Sequence, residues 1–222
     1  MAHTGEKRAG HPEKDRGRRA EIMKTGIFGG SFNPVHNGHI HLAETIMHEL
    51  KLDRVIFVPS RISPHRSMEE YVSGEHRLEM LRLACKNRTG LEVSSYELDT
   101  DRVSYSIYTV EHFRQIFPDD ELFLLVGSDM LLCFDKWYRF EDILAHASLA
   151  VASRQDGDQE ILDKKAEELS EYGRIFISRS SPEVVSSTEI RKKIAKNCDL
   201  TCYLDENVVQ YIRLNGLYCK NT

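Results

Sequence analysis

Two histidines, His36 and His39, follow closely on a pair of glycines at Gly29 and Gly30. Glycine lets the backbone approach a ligand closely, and imidazole rings supply directed hydrogen-bond donors. This combination suits an anion, and phosphate is the obvious one. Two other interpretations stay open, namely solvated side chains near a loop and metal ligation by some of His36, His39 and His41.

The residues around the histidines predict a strand, a loop and the start of a helix. Residues 24–28 have the length and apolar character of a buried strand, and Asn33 with Pro34 is a turn signal. Asn37 is a suitable helix N-cap, because apolar residues recur at helical spacing after it. His39 is therefore expected in the first helical turn, where unpaired N–H groups and the helix dipole attract anions.

Composition limits the class of protein. The chain has 222 residues, enough for one α/β domain with a sizeable core, and no apolar run approaches the ~20 residues of a membrane span. The net charge of -5 argues against generic nucleic-acid binding. The five cysteines are odd in number and lack a CxxC pair, which favours reduced thiols. We therefore expect a cytoplasmic protein that binds neither nucleic acid nor a membrane.

The first 22 residues differ from the rest of the chain. They are rich in charge and nearly without bulky apolar side chains, they lack the apolar core of a secretory signal, and their acidic residues do not suit a transit peptide. We predict a flexible extension over residues 1–22 and a single folded domain over residues 23–222.

Strand and helix patterns alternate through that domain. Further strands are predicted at 54–58, 91–98, 121–126, 148–152 and 174–177, and further helices at 75–86, 104–117, 140–146, 158–172, 188–196 and 206–215. This order predicts an α/β fold with a parallel sheet covered by helices on both faces. Ligands of such sheets bind beyond the carboxyl ends of the strands.

Polar groups recur at those ends. The loop after the second strand offers Arg61, His65 and Arg66 to a polyphosphate, although an ordinary basic surface loop would look the same. Asp129 follows a strand and is placed to accept from ribose hydroxyls, and a helix N-cap explains it equally well.

Three other features have both a functional and an ordinary interpretation. Trp137, followed by Tyr138, is the only tryptophan and could stack on a heteroaromatic ring or simply belong to the core. The helix start near residues 104–107 could receive a carboxylate. Residues 185–191 combine hydroxyls, a helix start and an arginine, which is also routine capping.

The stretch after the first strand reads GGSFNPVHNGH. It resembles the HxGH signature of the nucleotidylyltransferase superfamily and, within it, the start of bacterial nicotinate-nucleotide adenylyltransferases, usually GGTFDPPHxGH. Four later segments resemble that family's motifs in the same order, namely SPHR for PPHK, SYSIYT for SYTxDT, GSD for GxD and VSSTEIR for ISSTxIR. The departures are Ser31, Asn33, Val35, Ser63, Arg66, Ser106 and Tyr108.

The resemblance implies a Rossmann-like, doubly wound sheet with C-terminal helices. It implies adenylyl transfer from ATP to nicotinate mononucleotide by in-line attack, giving deamido-NAD and pyrophosphate, with Mg²⁺ as the partner of ATP. The alternatives are the same fold acting on nicotinamide mononucleotide, on phosphopantetheine or with CTP, and a non-catalytic nucleotide-binding regulator. A homo-oligomer is left open.

The resemblance also assigns residues. His36 and His39 would be catalytic, and no residue would be a metal ligand. ATP would contact Gly29, Gly30, Ser31, Phe32, His36, His39, Arg66, Gly127, Asp129, Ser186, Ser187, Thr188 and Arg191. The mononucleotide would contact Asn33, Tyr105, Ser106, Ile107, Trp137 and Tyr138.

Overall fold

A computed structural model describes residues 22–61, 71–152, 159–180 and 185–219. The predicted N-terminal extension lies almost wholly outside these ranges, as does Arg66, and both remain predictions. The strands are β1 (Lys24–Gly30), β2 (Arg54–Pro59), β3 (Leu91–Val93), β4 (Glu121–Gly127), β5 (Ser148–Ala152) and β6 (Ile175–Ser178). The helices are α1 (Asn37–Leu50), α2 (Gly74–Cys85), α3 (Ser106–Ile116), α4 (Ser128–Leu131), α5 (Phe140–His146), α6 (Gln159–Leu169), α7 (Ser187–Ile194) and α8 (Glu206–Leu214).

The strands form one six-stranded sheet in the order β3-β2-β1-β4-β5-β6. Every neighbouring pair is parallel, which confirms the predicted parallel sheet. The chain winds outward in one direction from β1 to β3 and in the other from β4 to β6. The carboxyl ends of β1 and β4 therefore meet at the switch point, where doubly wound sheets bind their ligands.

Both faces of the sheet are apolar because the side chains of each strand alternate between two cores. In β1, Phe28 belongs to the core under α1, α2, α7 and α8, whereas Ile27 belongs to the core under α3, α4, α5 and α6. The same alternation appears in β2 at Phe57 and Val58. Helices thus cover both faces, as the alternating pattern predicted.

The structure differs from the sequence prediction at one strand and at two helix starts. The strand predicted at 91–98 is wrong beyond Val93, because the chain turns there and the Leu98 N–H donates to the Ser95 carbonyl at 2.8 Å. His36, and not Asn37, is the N-cap of α1, and its carbonyl accepts from the His39 N–H at 2.9 Å. The prediction that His39 lies in the first turn is confirmed. Helix α3 begins at Ser106, two residues later than predicted, so Ser104 lies ahead of the helix.

Two short elements were not predicted, namely α4 and a 3-10 turn at Phe134–Lys136. Both are too short to show a hydrophobic period. Among the described helices, none combines the length and apolar character that crossing a membrane demands.

Candidate active site

A cavity of about 520 Å³ opens at the switch point between β1 and β4. Its wall takes residues from the loops after both strands, from the start of α3, from the segment after α4 and from the start of α7. We call the part formed by Gly29, Gly30, His36 and His39 the histidine end. We call the part formed by Tyr105, Ser106, Trp137 and Tyr138 the aromatic end.

The two glycines of the histidine end have different surroundings. A Cβ on Gly29 would have no protein atom within 4 Å, so the room beside it belongs to the cavity. A Cβ on Gly30 would stand 3.0 Å from the Phe32 ring. Phe32 itself has a φ of 44°, uncommon for a bulky residue, and its buried ring packs edge-on against Phe28 and His39. The loop is thus folded tightly around one aromatic ring.

The histidines are held as a pair. Their rings stack with centroids 3.6 Å apart, and the His36 backbone N–H donates to His39 Nδ1 at 3.2 Å. Because Nδ1 accepts, the neutral His39 ring carries its proton on Nε2. The ring of His39, with its proton on Nε2, lines the cavity.

The C-terminal part of the chain fixes the loop from behind. Ser187 Oγ donates to the Pro34 carbonyl at 3.0 Å, and Arg191 Nη1 donates to the Asn33 carbonyl at 2.9 Å. The Tyr218 hydroxyl donates to Asn33 Oδ1 at 2.8 Å. The loop between β1 and α1 is therefore tied to residues more than 150 positions away in the chain.

A buried arginine holds the other side of the loop. Arg77 of α2 is 3% exposed, and its Nη1 donates to the Ser31 carbonyl at 2.8 Å. Burial lowers the pKa of its guanidinium. A hydrogen bond from a buried cation is among the stronger ones, so it keeps the glycine loop in one conformation.

Beyond β4, the chain turns at once into α4. Gly127 is the N-cap of this short helix, and Asp129 stands exposed in its first turn, in the cavity wall. The capping interpretation of Asp129 is therefore wrong, since Gly127 holds the N-cap position. A ribose contact by Asp129 stays a prediction.

Side chains and a helix start form the aromatic end. Trp137 is half-buried and packs on the core residue Phe134, with ring centroids 5.0 Å apart. Tyr138 is 48% exposed and lies 4.8 Å from the Tyr105 ring. Trp137 thus both contacts the core and lines the cavity, and its stacking on a ligand ring stays a prediction.

Tyr108, which stands where the resembling family has an aspartate, is not in the cavity wall. Arg102 lies over its ring at 4.5 Å, and Tyr138 packs against it at 6.2 Å. A hydrogen bond with Tyr138 raises the pKa of the Tyr108 phenol. This departure therefore leaves the first turn of α3 intact.

A carboxyl group that the sequence did not single out lies behind the aromatic end. Glu97 lines the cavity although it is only 7% exposed, and its Oε1 accepts from Thr109 Oγ1 at 2.6 Å. Burial raises the pKa of this carboxyl, while hydrogen bonds from Thr109 and Ser104 act in the opposite direction. Glu97 thus links the start of α3 to the chain that precedes it.

Most of the residues assigned from the sequence come together in this cavity. They are Gly29, Gly30, Ser31, Phe32, His36, His39, Tyr105, Ser106, Gly127, Asp129, Trp137, Tyr138, Ser186, Ser187 and Thr188. Three assigned residues, Asn33, Ile107 and Arg191, are not part of the wall. Asn33 and Ile107 are buried, and Arg191 contacts the loop as described, so direct ligand contacts stay predictions for all three.

The sequence missed several wall residues, namely Phe28, Ser60, Tyr71, Glu97, Ser104, Leu125, Val126, Met130, Lys136 and Val185. Ser60 and Ser104 stand beside predicted element ends, which was a usable signal. Tyr71 and Glu97 gave none, because the fold alone brings them to the cavity.

The alternative of metal ligation by the histidines needs further ligands nearby. Within the described ranges, no three His, Cys, Asp or Glu side chains are grouped as metal ligands. The polar groups of the residues around the cavity are instead hydroxyls, backbone N–H groups, imidazoles, the Lys136 amine and the carboxyl groups of Asp129 and Glu97.

Comparison with known proteins agrees with this geometry. Residues 27–193 match the sequence model of a family described as Cytidylyltransferase-like. A probable nicotinate-nucleotide adenylyltransferase from Carboxydothermus hydrogenoformans is 39% identical over 88% of this chain and 98% of its own. The nicotinate-nucleotide adenylyltransferase of Bacillus subtilis is 32% identical over 89% of this chain and 99% of its own.

A solved structure shares the fold. The nicotinic acid mononucleotide adenylyltransferase of Plasmodium falciparum, in complex with NaAD, matches with a TM-score of 0.72 over 88% of this chain and 97% of its own. Its sequence identity is 18%, so this likeness bears on the fold. The family match and the curated relatives together confirm the resemblance of the HxGH segment. The chain belongs to the Cytidylyltransferase-like family and, within it, to the nicotinate-nucleotide adenylyltransferases.

Proposed function

We propose that this protein transfers the adenylyl group of ATP to nicotinate mononucleotide, releasing pyrophosphate and forming deamido-NAD. The observation that carries the proposal is the histidine end, where His36 and His39 meet the N-terminus of α1 beside an open glycine loop at the switch point of the sheet. Its curated relatives bear the name of this activity.

The reaction requires no covalent enzyme intermediate. A phosphate oxygen of the mononucleotide attacks the α-phosphorus of ATP in line, a new P–O bond forms, and the bond to pyrophosphate breaks. Catalysis then consists of positioning two anions and stabilising charge on the transferring phosphoryl group. His39 Nε2–H and the N-terminus of α1 would donate to that charge.

ATP would lie between the ends of β1 and β4. The Gly29 backbone leaves room for close approach, and Asp129, which lines the cavity, would accept from ribose hydroxyls. Ser186, Ser187 and Thr188 offer hydroxyls and the start of α7 to the polyphosphate. Arg66 stays a predicted phosphate contact.

The mononucleotide would lie at the aromatic end. Trp137 offers an aromatic face to the pyridine ring, and the first turn of α3, from Ser106, offers backbone N–H groups to a carboxylate. Nicotinate carries that carboxylate, and nicotinamide does not.

Mg²⁺ would accompany ATP. The residues present fit an ion held mainly by phosphate oxygens and water, because hydroxyls and one exposed carboxylate, Asp129, face the cavity from the ATP side. The ion would neutralise polyphosphate charge, and the protein would hold it through the nucleotide. We further propose a cytoplasmic location, which suits cysteines that are free throughout the described part of the chain.

Pyrophosphate release tests the proposal. Purified protein is mixed with ATP and Mg²⁺ and, in turn, with nicotinate mononucleotide, nicotinamide mononucleotide and phosphopantetheine, and CTP replaces ATP in a parallel series. Fast release with ATP and nicotinate mononucleotide, together with deamido-NAD as product, is expected. Nucleotide binding without pyrophosphate in any mixture would instead identify a regulator.

A further inference from the structure

Tyr138 is an exposed aromatic side chain in the cavity wall. It is 48% exposed, whereas its neighbour Trp137 packs against the core under α3, α4, α5 and α6. An exposed side chain samples several rotamers, and fixing it when a ligand binds costs conformational entropy. A wall that recognises a ring therefore binds more tightly when Tyr138 is already held in one orientation.

Tyr108 provides that hold through a cluster of three rings. Its ring centroid lies 6.2 Å from that of Tyr138 and 6.3 Å from that of Tyr105, and the other two rings are 4.8 Å apart. These distances are typical of interacting aromatic pairs. A hydrogen bond also joins the phenols of Tyr108 and Tyr138. Tyr105 and Tyr138 line the cavity and Tyr108 does not, so Tyr108 supports the wall from outside it.

Tyr108 is itself fixed from several sides. It is half-buried and packs against the core under α3. The Arg102 guanidinium lies over its ring, 4.5 Å from the centroid. Arg102 Nη2 donates to the Tyr96 hydroxyl at 2.7 Å, and that hydroxyl donates to the Tyr108 carbonyl at 3.3 Å. A ring held by the core and by a cation can hold its exposed neighbour.

We propose that Tyr108 is a positioning residue for the acceptor substrate, because its ring keeps Tyr138 in the orientation that contacts the mononucleotide. This inference rests on the proposed function, which places the mononucleotide at the aromatic end. The resembling family has an aspartate at this position, and an aspartate has no ring to offer Tyr138. The support therefore belongs to the tyrosine that this chain carries there.

The substitution Tyr108→Leu removes the ring and keeps an apolar side chain with good helix propensity. We expect KM for nicotinate mononucleotide to rise about five-fold, the size expected for the loss of aromatic pairs, while kcat and KM for ATP hold. Tyr108→Phe keeps the ring and loses a hydrogen bond that water can replace, so its KM should stay within about two-fold of the wild type. A Phe variant as impaired as the Leu variant would overturn the role of the ring.

A double-mutant cycle tests whether Tyr108 acts through Tyr138. Tyr138→Leu alone should raise KM for the mononucleotide at least as much as Tyr108→Leu does. If the ring of Tyr108 serves to position Tyr138, the double variant should be no worse than Tyr138→Leu. Effects on KM that multiply in the double variant would overturn the inference, because Tyr108 would then act independently of Tyr138.

Tyr172→Leu is the matched control. Tyr172 is 38% exposed and its ring lies 5.2 Å from that of Phe140, and neither residue is in the cavity wall. Its loss should lower Tm and leave both KM values unchanged. A similar pattern in Tyr108→Leu, with a lower Tm and an unchanged KM for the mononucleotide, would overturn the inference.

A ligand-free measurement separates this inference from the proposed function. The protein is labelled with fluorotyrosine, and the fluorine NMR signal of Tyr138 is assigned from its absence in Tyr138→Phe. In Tyr108→Leu this signal should narrow and move towards that of free fluorotyrosine, as a released side chain would. An unchanged Tyr138 signal would overturn the inference. A wild type that forms no deamido-NAD would instead count against the proposed function, and the signal would still test Tyr108.

Discussion

The two ends of the cavity are built in opposite ways. At the histidine end, buried Arg77 of α2 and half-buried Ser187 and Arg191 of α7 hold the loop through its backbone carbonyls, and Tyr218 holds it through the Asn33 side chain. At the aromatic end, partly exposed aromatic side chains line the cavity, and Tyr138 is 48% exposed. The histidine end is a rigid frame that presents donors, whereas the aromatic end is a set of side-chain faces.

This difference suggests a division of work. Groups that stabilise charge in a transition state must be fixed in advance, and the histidine end has the contacts to do so. Groups that select a substrate need a complementary surface, which the aromatic end provides. We therefore expect damage at the histidine end to lower kcat, and damage at the aromatic end to raise KM for the acceptor.

The substitution His39→Ala should have the largest effect. It removes the donor placed for the transferring phosphoryl group, and the loss of one such donor typically lowers kcat by ~10² or more. Steady-state kinetics measure it, and circular dichroism checks that the fold is kept. His41→Ala is the control, because His41 is exposed on α1 and lies outside the cavity wall. Near-normal turnover of His39→Ala would refute its catalytic role.

The substitution Trp137→Ala should come next. Stacking of a base on an aromatic side chain is worth ~1–3 kcal/mol in single-stranded nucleic-acid complexes, so KM for nicotinate mononucleotide should rise roughly ten-fold. KM for ATP should hardly move, and Trp137→Phe should restore much of the loss. If saturating mononucleotide leaves the tryptophan fluorescence unchanged, the pyridine ring does not stack on Trp137.

The same two ends show what the sequence could predict. The histidine end could be predicted from local sequence patterns, since a single segment contains a strand, two glycines and a helix start. The tertiary contacts that hold the loop could not be predicted from the sequence, because Tyr218 and Arg77 reach the loop only after the chain has folded. Glu97 and Tyr71 escaped prediction for the same reason.

Helix boundaries show a further limit. Asn37 has the better capping side chain, yet His36 takes the N-cap position, while the Asn37 N–H donates to the Tyr203 carbonyl at 2.8 Å. A tertiary contact thus outweighs a local preference. The parallel sheet with helices on both faces, by contrast, followed from the alternation of strand and helix patterns.

The substitution Tyr218→Phe should have a moderate effect spread over both stability and rate. It removes the donor to Asn33 Oδ1, and one such hydrogen bond contributes about 1 kcal/mol to the free energy of unfolding. Because the loop stays tied by Ser187 and Arg191, kcat should fall only several-fold and KM for the mononucleotide should hold. Denaturant titration and kinetics measure the two effects. A rise in KM without loss of stability would contradict the idea of a frame.

The substitution Glu97→Gln should have the smallest effect, visible as a pH dependence. Burial raises the pKa of Glu97 above its ordinary value of 4.5, so the folded protein holds this proton more tightly than the unfolded chain. The stability gained from it is complete below pH 4.5 and is lost as pH rises through the folded pKa. Glutamine does not titrate, so the stability of the variant relative to the wild type should increase with pH across that window. Parallel stability curves would contradict the raised pKa.

The division of work between the two ends is tested most directly by one comparison of acceptors. kcat/KM is measured at fixed ATP for nicotinate and nicotinamide mononucleotides, in the wild type and in His39→Ala. We expect the wild type to prefer the acid at least roughly ten-fold, because the amide would place an uncharged group and a mispaired NH₂ against the donors at the start of α3. His39→Ala should lower both values while keeping their ratio. Equal values in the wild type, a preference for the amide, or a ratio that collapses in the variant would contradict the account.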